Sequence, residues 1–188
     1  MFLSAAALPN AGVAPPQGAE TQTQLINIPE GAAGTRATLK IMARLVRETR
    51  IQPSIRNLAA SMVQDLEGQN YTDEVRHLFN FVRDAIRYLQ DTNGVELIQN
   101  PHVTLQIQAG DCDDKATLLA ALLESIGHPC RFIAVGYTEP GQFEHVYVET
   151  KIGGDWVSAD PTENVDLGWA PMPPYTDDIV TAIMREHI

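Results

Sequence analysis

Cys112, His145 and Asp160 are the residues whose types and order can do covalent chemistry. Cys112 lies in "GDCDDKATLLAALLESIGHPC", where Asp113 to Ile126 reads as a helix stopped by Gly127 and Pro129. A helix N-terminus carries partial positive charge and favours a thiolate. Helical spacing sets Ala116, Leu119 and Leu123 on the face of Cys112, so the sulfur points at the core or at a cleft beside it. A thiol nucleophile needs a base within hydrogen-bond reach, and the base needs an orienting group. His145 stands inside an alternating, strand-like run, and Asp160 ends the next one. The "GGD" between these runs predicts a hairpin that lays Asp160 beside His145. A helix packed on that sheet brings Cys112 to the imidazole.

The acids around the thiol act against it. Asp111, Asp113 and Asp114 raise a thiol pKa if they point at the sulfur. The sequence predicts Asp111 as the N-cap, with Asp113 and Asp114 turned off the Cys112 face toward the positive helix end. For an oxyanion, the backbone N–H of Cys112 is one candidate donor and Gln106 or Gln108 the other.

The remaining elements must position these residues. Residues 1–34, rich in Ala, Pro, Gly and Gln, read as an extended arm that needs a partner to order it. The first helix is expected in "GTRATLKIMARLVRETR", with Leu39, Met42, Leu45 and Val46 at helical spacing. A second follows Pro53, with Ser54 available as its cap, and a third carries Val75, Leu78, Phe79, Val82, Ile86 and Leu89, capped by Thr72 or Asp73. "QDTNGVELIQNPHVTLQIQAG" reads as a long loop. Three antiparallel strands are predicted in "CRFIAVGYT", "FEHVYVETKI" and "DWVSAD", with Phe143, His145, Tyr147 and Glu149 on one face of the second. Residues 163–188 form a Pro-rich tail with a short helix in "DDIVTAIMREH". His77 is expected at the surface, Cys130 in packing, and Trp156 and Trp169 in the core or a cleft wall.

The blocks "GDCDDKATLLAALLESIGHPCRFIAVGY", "EHVYVE" and "WVSADPT" resemble the transglutaminase-like cysteine enzymes, which share a papain-like core. The resemblance runs from about Phe79 to Thr162. Over the whole chain, from "GAAGTRATLKIMARLVRE" to "GWAPMPP", it extends to the small transglutaminase-like proteins of tailed bacteriophages and prophages. It implies an α+β fold with N-terminal helices packed on a small antiparallel sheet, and a domain over residues 35–162. It also implies Cys112 as nucleophile, His145 as base and Asp160 as orienter, without cofactor or metal. The expected activity is that of a cysteine peptidase, amidase or amide transferase working through a thioester on Cys112, with a peptide or amide substrate. The alternative is a structural component of a phage tail or its assembly, tied by its arms to other phage subunits. Either use places the protein in the virion or in the host cytoplasm during assembly.

Other chemistries fit less well. A zinc site from Cys112, His128, Cys130 and His145 lacks the paired knuckles of structural zinc. "DCDDKATLLAAL" lacks the glycine and the closing Glu of a calcium loop. The formal net charge of −11 repels nucleic acid and anionic membrane. "MFLSAAALPNAGVAPP" has no basic residue to lead a signal peptide, and two cysteines make no disulfide framework.

Overall fold

The computed structural model describes residues 28–66, 68, 70–91, 97–138, 142–171 and 183–188. Its centre is helix α5, Cys112–Ser125. Every residue from Asp113 to Leu123 is buried, so this helix has no solvent face. Leu118, Leu119, Leu122 and Leu123 are among the largest fully buried side chains, each worth about 1.5–3 kcal/mol of transfer free energy.

Four further helices pack on α5: α1 (Gly31–Thr49), α2 (Pro53–Val63), α3 (Tyr71–Ala85) and α4 (Pro101–Ile107). α1 buries Leu39, Met42, Ala43 and Val46, and α3 buries Val75, Leu78, Phe79 and Val82. These are close to the predicted stripes, but Leu45 is only half-buried with Ala43 buried beside it, and Leu89 lies past the end of α3, exposed. The caps differ from expectation. Pro53 is itself the first residue of α2, so Gln52 takes the N-cap and Ser54 lies inside. Asn70 caps α3, accepting from the Asp73 N–H, so the helix starts before Thr72 and Asp73.

Three elements differ from expectation. α3 ends at Ala85, and Arg87–Tyr88 form a short strand, β1, parallel to β2 (Ala109–Gly110). The segment expected as a long loop contains α4, whose N-cap Asn100 accepts from the His102 N–H and whose first residue is Pro101. At the C-terminal end, Ile183–His187 is strand β6, not a helix, because β3 offers it an open edge. Residues 177–182 of that expected helix and residues 1–27 of the arm lie outside the described residues. The arm's predicted last residues, Gly31 to Gly34, already belong to α1.

β3 (Cys130–Val135), β4 (His145–Ile152), β5 (Asp155–Ala159) and β6 make one antiparallel sheet in the order β5-β4-β3-β6. The predicted β4–β5 hairpin is present. Gly153 (φ 61) and Gly154 (φ 99) both take the left-handed conformation that such a turn requires. Phe132, Ala134, Val146, Val148 and Ala159 join the core with α5. Ile133, Val135 and Tyr147 form a smaller cluster with Tyr137 and Ala170. The fold is therefore α+β, with helices gathered on one small antiparallel sheet. Among the described residues no helix is long and apolar enough to cross a membrane.

Candidate active site

His145 is the first residue of β4, in register with Val135 of β3. The turn before it depends on Gly136, where a Cβ would lie 1.8 Å from the Gln142 carbonyl oxygen. Glu144 closes the turn by accepting from the Tyr137 N–H at 2.9 Å and from the Thr138 hydroxyl at 2.6 Å. β5 ends at Ala159, opposite Val148, and Asp160 follows directly.

His145 Nε2 lies 2.7 Å from Asp160 Oδ2. The second oxygen of Asp160 accepts from the Thr162 N–H at 3.0 Å, and the residue is 1% exposed. With Asp160 ionised, Nε2 carries the proton and Nδ1 is left as a base. Tyr147 stacks on the imidazole, ring centroids 6.3 Å apart.

Cys112 is the first residue of α5, one position earlier than the predicted helix start. The backbone N–H groups of Val146 and Asp113 lie close enough to its sulfur to favour the thiolate. Val146 adjoins His145, so the thiol meets β4 where the imidazole begins it. Burial pushes the thiol up to about 12, the charges of Asp113 and Asp111 add to this, and the two N–H donors oppose it.

The acids depart from expectation. Asp111 is the N-cap but makes no side-chain capping bond. Asp113 and Asp114 are buried, because α5 has no solvent side for them to turn to. Asp113 bears directly on the sulfur. Asp114 accepts from the Gln99 backbone N–H at 2.7 Å and from its side-chain amide. Burial pushes Asp114 up to about 7, against the Gln99 donors. Gly110 lies against it: a Cβ there would come within 2.5 Å of the Asp114 Cβ, so only glycine allows this approach.

Lys115 is a residue that sequence reasoning missed. It is buried, and its Nζ donates to the carbonyls of Ile86 at 2.8 Å and Arg83 at 3.3 Å. The ammonium thus closes the end of α3 and ties it to the helix bearing Cys112. Burial lowers its pKa, while Asp160 and Asp84 favour the charge.

The other candidates fall elsewhere. His128 bonds Glu74 at 2.8 Å, and Cys130 Sγ donates to the His128 carbonyl, beyond the far end of α5 from Cys112. The four residues of the zinc alternative do not converge. Gln106 and Gln108 are exposed near the end of α4. His77 is exposed and Cys130 buried, as expected. Trp169 is 42% exposed, and Trp156 lies under the Arg131 guanidinium, 4.2 Å from its ring centre; neither is in the core.

The core of the transglutaminase-like superfamily matches residues 56–161, more than half of the chain. The chain belongs to the transglutaminase-like superfamily. The match spans α2 to Pro161 and takes in Cys112, His145 and Asp160. Solved structures share this transglutaminase-like fold. A proposed cysteine protease from Cytophaga hutchinsonii is 19% identical, with a TM-score of 0.51, over 79% of this chain and 53% of that one. A proposed protease from Parabacteroides distasonis ATCC 8503 is 14% identical, with a TM-score of 0.57, over 73% and 27%. Rad4, in complex with Rad23 on a 6-4 photoproduct UV lesion, is 8% identical, with a TM-score of 0.50, over 81% and 45%. The transglutaminase-like chain thus spans about half or less of the length of these proteins. No curated protein sequence matches it.

Proposed function

We propose that this chain is a thiol acyl-transfer enzyme, a cysteine peptidase, amidase or amide transferase with Cys112 as nucleophile. The observation that carries the reading is the 2.7 Å contact between His145 and Asp160, formed one residue from Val146, whose backbone N–H favours the Cys112 thiolate. Membership of the superfamily and the fold shared with protease-like structures support it.

In this mechanism the resting thiol is neutral, because a buried sulfur beside Asp113 and Asp111 holds its proton. His145 Nδ1 accepts that proton as the sulfur bonds to the carbonyl carbon of a peptide or amide. Asp160 keeps the imidazole oriented and stabilises its charge. The carbon–nitrogen bond then breaks, the amine leaves with the proton returned by His145, and a thioester remains on Cys112. Water completes hydrolysis; a second amine completes transfer.

The alternative of a phage structural component gains no observation. It rested on terminal arms, and residues 1–27 and 172–182 lie outside the described residues. The described part of the C-terminal segment packs on its own domain: the Gly168 N–H bonds the Ser158 carbonyl, Arg83 Nη1 bonds the Val165 carbonyl, and β6 pairs with β3.

Alkylation by iodoacetamide from pH 6 to pH 10, mapped by peptide mass, tests the reading. Cys112 should label while Cys130 stays protected in the folded protein. The Cys112 rate should climb with pH, without the plateau near neutrality that a preformed thiolate gives, since its thiol is raised and loses its proton only in alkaline solution. His145→Ala should slow labelling at neutral pH. A Cys112 as protected as Cys130 contradicts the proposal.

A further inference from the structure

Two tyrosines outside the predicted site lie near members of the triad. β1 runs parallel to β2, which puts Tyr88 in register with Gly110, just before Cys112. Tyr88 is 49% exposed. Tyr137 lies just past Val135, the register partner of His145. Tyr137 packs against the cluster of Ile133, Val135 and Tyr147, and Tyr147 stacks on His145. Glu163 is exposed and follows Thr162, whose N–H holds Asp160.

The charges near the thiol bear on both phenols. Burial raises the Tyr88 phenol, with the charges of Cys112, Asp111, Asp113 and Glu163 adding to it. Burial pushes Tyr137 up to about 12, and Asp160, Glu163, Tyr147 and Cys112 contribute. Glu163 bears on both phenols. The carboxylates bearing on the sulfur and the two phenols are Asp111, Asp113, Asp160 and Glu163. Of the nearby cations, the buried Lys115 holds the end of α3 and Arg83 holds Asp84 and the Val165 carbonyl, while Arg87 is exposed beside Tyr88. Both phenols stay neutral, and the face of an aromatic ring attracts a cation.

We propose that Tyr88 and Tyr137 flank the mouth over Cys112 and that, with Glu163 and the acids of the α5 start, they select a substrate with a basic side chain beside the attacked amide. The inference rests on the thiol-enzyme reading above and names its substrate class. A basic side chain is held between two ring faces and a carboxylate. An acidic one meets the same carboxylates as repulsion. A cation near the sulfur also offsets the charges that hold the thiol proton, so the preferred substrate helps to release it.

Two methanethiosulfonate reagents of similar size and opposite charge test this, the trimethylammonium-ethyl and the sulfonato-ethyl compounds. Each transfers its thioalkyl group to a thiolate as a mixed disulfide and releases methanesulfinate. Rates at Cys112 are followed by mass and divided by the rate of each reagent with 2-mercaptoethanol. The cationic reagent should be favoured by about tenfold or more at low salt, as a cleft lined by one sign of charge concentrates counterions. The preference should shrink at high salt. Glu163→Gln should reduce it, as should Tyr88→Ala and Tyr137→Ala. Glu48→Gln is the control for net charge: Glu48 pairs with Arg44 on α1, two residues before Arg50, which is paired with Glu124 at the opposite end of α5, about 18 Å from Cys112 along the helix. It should leave the preference intact. Equal normalised rates overturn the charge selection alone. So does a preference that falls as far in Glu48→Gln as in Glu163→Gln. Failure of both reagents to reach Cys112 overturns the thiol-enzyme reading and this inference with it.

Discussion

Cys112→Ala is expected to abolish turnover of amide and ester substrates, by a factor on the order of 10⁵–10⁶ in kcat, as loss of a nucleophile does. The fold should survive. The change removes one sulfur from the first residue of α5, at the edge of the core cluster, and leaves the larger buried side chains of the helix in place. Leu119→Ala is the counterpart. Leu119 is fully buried between the helices and the sheet, and shortening it should cost about 2–5 kcal/mol through lost burial and the cavity left behind. Urea unfolding of both variants, read beside their activity, checks the division of labour. Cys112→Ala unfolding at far lower urea than Leu119→Ala would show that the sulfur is a packing atom.

Asp160→Asn carries the second large effect. Asp160 is 1% exposed and spends one oxygen on His145 and the other on the Thr162 N–H. An asparagine fills the same volume, but its amide can offer the imidazole a donor where a carboxylate accepted. The ring then loses the tautomer that leaves Nδ1 basic. The fall in kcat should be about 10⁴, the scale seen when an orienting carboxylate is neutralised in a triad. Lys115 also loses a charge that favours its ammonium, so a modest loss of stability should accompany it. Full activity in Asp160→Asn would mean that His145 needs no orienter.

The hairpin that joins His145 to Asp160 was legible because each part of its signal is local. Gly153 and Gly154 demand a tight turn, and the runs on both sides alternate with period two. α5 was legible for the same reason. Its surroundings were not. The pattern does not say which neighbours enclose the helix, so the burial of Asp113 and Asp114, expected off the Cys112 face, is not legible in it. α4 spans only Pro101–Ile107, too short for periodicity, although Asn100 and Pro101 were in place to start it. β1 and β2 are two residues each and exist only through their pairing across α4. "IMREH" suits a helix or a strand equally, and β3 decides. Tyr88 and Tyr137 carry no motif. Only the β1–β2 register and the β3–β4 turn bring them near Cys112.

The central claim is that Cys112 forms a thioester through a base held by Asp160. Intact-mass spectrometry of the protein quenched in acid during reaction with p-nitrophenyl acetate tests it most directly. The account predicts one acetyl group, mapped to Cys112, that forms with the burst of nitrophenol and disappears with time. It predicts no adduct in Cys112→Ala and a far slower one in His145→Ala. Acetylation of Cys112 at the same rate in His145→Ala, or an acetyl group mapped only to other residues, would contradict it.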